Sequence, residues 1–302
     1  LRFVLNSANK TIIAGFRSIT GYGYIGSFAL LNNNDMQQPL NFQVLTQSVK
    51  EVGQMFLADF RHTPVPQTMD EFMEALINIE SRCFDALHQR IDVYYPDIPW
   101  IDDDEFTADT QRQPAGYSQY WLCDTMDGAI QYLQQMPGWT INLVLIQQGQ
   151  PSFSVIYAPL TDELFWAVAG AGAFLNDQRI QVSRKQSGNN MVAVWEYGHQ
   201  LKKDLAWKEK TALAVTALLD SFGVVRNYGP HGLQLAYLGA GRIDLFLQWD
   251  LDTHNWLAGM LIAKEAGAMV LSVDGQVWRW GQEGLLAGTA NAIEIYLNAN
   301  MK

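Results

Sequence analysis

The sequence predicts a layered α/β protein. Two amphipathic helices open it, a run of apolar strands joined by short turns follows, and strands and helices then alternate to the end. In the first helix Leu45, Val49, Val52, Phe56 and Phe60 recur at helical spacing, a stripe suited to core packing rather than chemistry. The second is announced by Pro66 and by Thr68 with Glu71 three residues on, a capping box, and carries Phe72, Leu76, Ile79, Cys83 and Leu87 on one face, with Glu80 beside them. It ends by Tyr95-Pro96. Ile141–Ile146 and Ser152–Tyr157 flank Gln147-Gln148-Gly149-Gln150-Pro151 and read as a hairpin, with more strands through Val182. Polar Ser183–Asn190 marks an expected boundary between an α+β half, 36–185, and an α/β half, 186–302. Beyond it, Met191–Trp195 and Val224–Arg226 read as strands around a helix from about Leu205 to Phe222. Leu233–Leu238 reads as a helix stopped by Gly239-Ala240-Gly241, Ile243–Leu247 as a strand and Trp256–Ala266 as a helix. Residues 1–35 show no sustained periodicity, and Met36 is the expected natural start.

The chemistry concentrates in Trp121-Leu122-Cys123-Asp124-Thr125-Met126-Asp127-Gly128-Ala129, where two carboxylates three residues apart run from an apolar segment into a glycine turn. Such a pair, with the Met126 carbonyl, offers the oxygen ligands that Mg²⁺ takes. The N–H groups of Gly128 and Ala129 at a helix start suit a phosphate. The same pattern also occurs as a surface turn whose acids merely cap and solvate.

Other stretches bear on that choice. Trp100-Ile101-Asp102-Asp103-Asp104 lies upstream, Tyr157-Ala158-Pro159-Leu160-Thr161-Asp162-Glu163-Leu164-Phe165 and Ala171-Gly172-Ala173-Phe174-Leu175-Asn176 lie downstream, and His254-Asn255-Trp256-Leu257-Ala258-Gly259 precedes Ala263-Lys264-Glu265-Ala266-Gly267-Ala268. In this order, from about Met36 to the end, they resemble the inositol monophosphatase family, whose signatures are an Asp-Pro-x-Asp-Gly-Thr after an apolar strand, a Gly-Glu-Glu before it and a Trp-Asp-x-Ala-Ala-Gly near the end. Residues 1–35 match nothing in that family. The resemblance implies an α-β-α-β-α sandwich, commonly a homodimer. It implies a Mg²⁺-dependent phosphomonoesterase that attacks a small phosphorylated polyol, sugar or nucleotide with a metal-activated water.

Carried over position by position, the implied metal ligands are Asp103, Asp124, the Met126 carbonyl, Asp127 and Asn255, and the implied catalytic groups are Glu80, Asp103, Asp124 and Asp127. Gly128 and Ala129 would hold phosphate, and His231 and Gln248 would face the leaving group. The chain departs from the family where Asp103 replaces a glutamate, Asn255 an aspartate, Ala129 the threonine that orients the attacking water, and Glu80 the aspartate behind it. Two functions therefore stand: a working phosphatase, or a relative that binds a phosphorylated ligand or protein partner without turnover. Asp250 and Asp252 lie near enough in sequence to replace the charge missing at Asn255, or else face solvent as loop acids do. His254, in place of the signature tryptophan, is expected to hydrogen-bond at the helix start rather than ligate metal, and His231 is either structural or a substrate donor.

Composition bounds the rest. With 302 residues and 48% hydrophobic content the chain can bury a large core, and a formal charge of −11 argues against nucleic acid or an anionic membrane as partner. Two cysteines, Cys83 and Cys123, are too few for a disulfide framework or zinc cluster, and a reducing cytoplasm is the expected home. No stretch approaches the roughly 20 apolar residues of a membrane span. The ten tryptophans are scattered, as packing residues are.

Overall fold

The computed structural model describes residues 39–101, 111–198 and 205–300. The chain divides into two compact units, Leu1–Leu45 and Thr46–Lys302, and the layers below belong to the second. In order, the elements are α1 (Phe42–Asp59), α2 (Met69–Ile91), β1 (Trp100–Ile101), β2 (Gln119–Asp127), α3 (Ala129–Leu133), β3 (Thr140–Gln147), β4 (Gln150–Ala158), β5 (Glu163–Val168), β6 (Gly172–Leu175) and β7 (Gln178–Arg179). They continue as β8 (Val192–Tyr197), α4 (Leu205–Ser221), β9 (Val224–Arg226), α5 (His231–Gly239), β10 (Leu245–Trp249), α6 (Thr253–Glu265), β11 (Met269–Leu271), β12 (Gly284–Gly288) and α7 (Ala290–Asn300).

β1–β7 form one sheet in sequence order, antiparallel apart from the parallel β1–β2 pair. The second sheet runs β11-β12-β10-β8-β9, with β8, β9 and β10 mutually parallel and β12 antiparallel to both its neighbours. β3 reads Thr-Ile-Asn-Leu-Val-Leu-Ile-Gln and is buried along all but its last residue, as a strand covered on both faces must be. The expected hairpin forms, with Gln147 opposite Gln150 and a two-residue turn between them.

α5 and α6 lie between the sheets. Leu233, Leu235, Trp256, Leu257 and Ile262 share one core with Val144, Ile156 and Phe165 of the first sheet and Phe246 and Leu285 of the second. The outer face of the second sheet, through Met191, Ala193, Leu245 and Leu286, packs on Ala214 and Leu218 of α4 and on Ala292 and Tyr296 of α7. α2 packs on β2 across the other face of the first sheet. From α1, Lys50 reaches over the Tyr157 ring of β4, 5.7 Å from its centroid, and the Phe56 carbonyl accepts the Tyr132 hydroxyl at 3.1 Å. Helices, sheet, helices, sheet, helices is thus the layer order, the expected α-β-α-β-α sandwich. Among the described residues no helix is long and apolar enough to cross a membrane.

Local signals set several boundaries. Thr68 is the N-cap of α2, its hydroxyl accepting the Glu71 N–H at 3.2 Å while Glu71 accepts the N–H groups of Gln67 and Thr68. The apolar stripe of α2 is fully buried only from Ile79 through Ile91; Phe72 and Leu76 are half-buried, and Met69, Met73 and Ile77 are exposed. Thr68→Ala should lower stability by about 1 kcal/mol, read from the urea midpoint. The Gln67 and Thr68 N–H groups hold Glu71 below the usual carboxylate range. Its contribution is therefore present above the unfolded pKa and lost as pH falls through the depressed one. An equal effect of Thr68→Ala at neutral pH and well into acid would refute the cap's dependence on Glu71.

Several sequence boundaries shift, two of them beside the site. α6 starts at Thr253 rather than Trp256, with Asp252 as its N-cap residue, so Asn255 sits in its first turn. The strand expected at Ile243–Leu247 is Leu245–Trp249, because it pairs with Ala193–Tyr197 and Gly284–Gly288 in that register.

Candidate active site

Asp124 and Asp127 are an odd number of residues apart, and a regular strand would point them to opposite faces. β2 avoids this with a bulge: Asp124 lies opposite Asn142 and Asp127 opposite Thr140, so three residue steps on β2 match two on β3. The extra residue returns Asp127 to the face of Asp124. Thr140 and Asn142 lie on that same face, where the Thr140 hydroxyl donates to Asn142 Oδ1 at 2.8 Å.

Asp127 is 5% exposed and its Oδ2 accepts two hydrogen bonds, from Asn142 Nδ2 at 2.9 Å and from the Gly232 N–H at 2.8 Å. The second bond reaches across from the first turn of α5. Position 232 must be glycine for it, since a Cβ there would stand 2.6 Å from Asn142 Nδ2 and 2.8 Å from Asp127 Oδ2. Burial pushes the Asp127 carboxyl up to about 6, His231, Asn142 and Gly232 pulling it back and Asp252 adding to the rise. Asp127 Oδ1 takes no hydrogen bond among the described residues.

Gly128 follows at φ +90°, and a Cβ there would lie 2.7 Å from the Gly138 carbonyl oxygen, so the turn into α3 also admits only glycine without strain. Beneath the turn, the Cys83 thiol of α2 donates to the Thr125 carbonyl at 2.7 Å. Burial, and then the Asp124 carboxylate, push that thiol's pKa well up, which keeps it a neutral donor. Glu80 is half-buried three residues earlier on α2, on the helix face that Cys83 holds against the motif. Ala129 opens α3 and is half-buried. Asp103 lies outside the described residues.

The second half of the site is a network around Asp252. Its Oδ1 accepts Asn255 Nδ2 at 2.8 Å and its Oδ2 accepts Gln248 Nε2 at 2.8 Å, while Gln248 Oε1 accepts the Trp256 indole N–H at 2.7 Å. Gln248 is fully buried, with both ends of its amide engaged within the protein. His231, the first residue of α5, stands between two carboxylates, with Nδ1 3.8 Å from Asp252 Oδ2 and Nε2 3.9 Å from Glu196 Oε2. Glu196 in turn accepts Gln234 Nε2 at 2.7 Å, the Gly229 N–H at 2.8 Å and Asn227 Nδ2 at 3.2 Å, tying down the loop that leads into α5. At the start of α6, the His254 N–H donates to Gln111 Oε1 at 3.1 Å and its ring meets Trp280 edge-on.

Asp250 and Asp252, read in sequence either as charge near Asn255 or as solvent-facing loop acids, are both buried, at 2% and 4% exposure. Asn142, Glu196 and Gly232 join the site through contacts that no motif in the sequence carries. A signal existed for Asn142, a lone polar residue inside the apolar run Ile141–Ile146, and one for Glu196, a carboxylate closing the apolar Val192–Trp195. None existed for Gly232, whose role is a contact across 105 residues.

The donors offered here are oxygens: the Asp124 and Asp127 carboxylates on one face of β2 and, in the first turn of α6, the Asn255 amide. Such a set suits a hard divalent cation. Burial disfavours the ionised form of Asp127, a cost that a cation bound beside it would offset. Among the described residues no three His, Cys, Asp or Glu side chains converge into a complete metal centre.

Comparison with known proteins agrees with this architecture. Solved structures that share the fold include inositol monophosphatase from Anabaena (Nostoc) sp. PCC 7120, with TM-score 0.71, 20% identity and coverage of 86% of this chain and 94% of that one, and the extragenic suppressor protein SuhB from Bartonella henselae, with TM-score 0.70, 23% identity and coverage of 86% and 99%. Among curated sequences, the fructose-1,6-bisphosphatase/inositol-1-monophosphatase of Thermotoga maritima is 32% identical over 52% of this chain and 57% of its own length. The Nus factor SuhB of Xylella fastidiosa is 32% identical over 51% of this chain and 55% of its own. The chain thus spans little more than half the length of these curated relatives. Residues 38–301 match the model of the inositol monophosphatase family, and the chain belongs to that family.

Proposed function

We propose that this chain is a Mg²⁺-dependent phosphomonoesterase acting on a small phosphorylated polyol, sugar or nucleotide. The β2 bulge carries the proposal, because it sets Asp124 and Asp127 on one face beside a glycine turn. Asp124, the Met126 carbonyl, Asp127 and Asn255 would hold the cation, with Asp103 completing the set. When bound, Mg²⁺ supplies Lewis-acid polarisation of a phosphoryl oxygen and a lowered pKa for an attacking water.

The protein's own groups do the positioning. Asn142 and Gly232 clamp one oxygen of Asp127, which leaves the other for ligation. Gly128 and Ala129 offer N–H groups to the phosphate. Ala129 has no hydroxyl, so Glu80 takes the water's proton directly or through a second water, its longer arm making up the reach. His231 faces the leaving alcohol, while Gln248 acts from behind by holding Asp252. A cytoplasmic homodimer is the expected form.

Ala129 also favours a second reading, a relative that binds a phosphorylated ligand or a protein partner without turnover. One assay separates the two. Mg²⁺-dependent phosphate release is measured from inositol phosphate, fructose bisphosphate, a 3′-phosphonucleotide and histidinol phosphate, with Asp124→Asn as control. Release from any of them that the control abolishes supports the phosphatase. Binding of Mg²⁺ or phosphate without release from any substrate supports the second reading.

A further inference from the structure

Asn255 brings an amide, not a carboxylate, to the proposed cation site, yet the site does not lack the charge. Asp252 stands three residues earlier, 4% exposed, and accepts Asn255 Nδ2 at 2.8 Å. Its other oxygen accepts Gln248 Nε2, itself fixed by the Trp256 indole. A buried carboxylate held by neutral amides alone is costly and needs a cation nearby. Among the described residues neither Asp252 nor Asp127 forms an ion pair with a Lys or Arg, and the one basic side chain within 4.0 Å of Asp252 is His231, at 3.8 Å. Asp252 is also near enough to Asp127 for its charge to act on that carboxyl. Resting on the phosphatase reading above, we propose that Asp252 is a positioning residue that returns the missing charge through the Asn255 amide, so that the pair does the work of one ligating carboxylate.

The chemistry follows from which atoms are engaged. Asn255 Nδ2 donates to Asp252, and among the described residues Asn255 Oδ1 accepts no hydrogen bond, so the amide presents its oxygen as the ligand. A carboxylate accepting the N–H of an amide polarises it and makes its oxygen a better donor, as a carboxylate behind a ligating histidine raises that ligand's basicity. Gln248 and Trp256 hold the carboxylate in place, so the charge comes from a group that need not touch the cation.

The test is Mg²⁺ affinity by titration calorimetry on the full chain, with thermal melts in metal-free buffer as the folding control. Asp252→Asn is expected to weaken Mg²⁺ binding by about 10- to 100-fold while the metal-free melting temperature stays level or rises. Asp252→Asn combined with Asn255→Asp is expected to restore affinity to the wild-type order, which a purely structural role for Asp252 would not allow. The double variant also covers the case in which Asp252→Asn alone does not fold, because it keeps one carboxylate and one amide in the pair. Wild-type affinity in Asp252→Asn or no rescue in the double variant would each overturn the proposal. A wild-type protein that binds no Mg²⁺ at millimolar concentration would overturn the phosphatase reading as well, so the two failures are distinguishable.

Discussion

Asp127→Asn is expected to abolish Mg²⁺-dependent phosphate release while leaving the metal-free protein as stable as the wild type or more so. The two halves of this result have separate causes. Partners that merely support a metal ligand cost about 10- to 100-fold when removed, so loss of a ligand itself should exceed the upper end of that range. Stability moves the other way because Asp127 is buried and its carboxyl is pushed up to about 6, meaning that the folded protein disfavours its ionised form. Asparagine keeps an oxygen for Asn142 and Gly232 and removes the charge. Phosphate release is assayed alongside a thermal melt in chelator. A variant that keeps its activity would remove Asp127 from the chemistry, and one that loses activity only by melting would reduce it to a structural residue.

Trp256→Ala is expected to cost the most stability of any single truncation near the site, about 3–5 kcal/mol by loss of a fully buried indole. Trp256 is 0% exposed in the central core, edge-on to Trp278 at 6.4 Å between ring centroids, and its N–H donates to Gln248 Oε1. Trp256→Phe keeps most of the volume and leaves Gln248 Oε1 without this donor, at about 1–3 kcal/mol. Urea unfolding of both variants separates packing from hydrogen bonding, provided the m-values agree. A loss under about 1 kcal/mol for Trp256→Ala would mean that α6 relaxes into the space, contrary to the close-packed layer described above.

These expectations draw unequally on sequence and structure. The Thr68–Glu71 capping box was legible because its bonds span three residues and depend on little else. So was the hairpin around Gln148-Gly149, whose strands carry their own apolar pattern. α6 starts three residues before the apolar run that begins at Trp256, because its first turn is filled by polar residues engaged with Asp252 and Gln111. The family resemblance implies a substrate contact for Gln248; its burial and the engagement of both amide ends emerge only from packing.

By itself, the sequence determined the helices and strands with a clear period or cap, their alternation into layers, and a motif with two carboxylates and a glycine turn. Those properties are local, set by spacing and backbone preference over a few residues. Only the tertiary structure decided which oxygens serve the site. The β2 bulge depends on registry with β3, the clamp on Asp127 needs an N–H from 105 residues away, and the burial of Asp252 depends on the layers closing over it. Registry, long-range hydrogen bonds and desolvation are set by what packs against a residue, and no local stretch of chain carries that information.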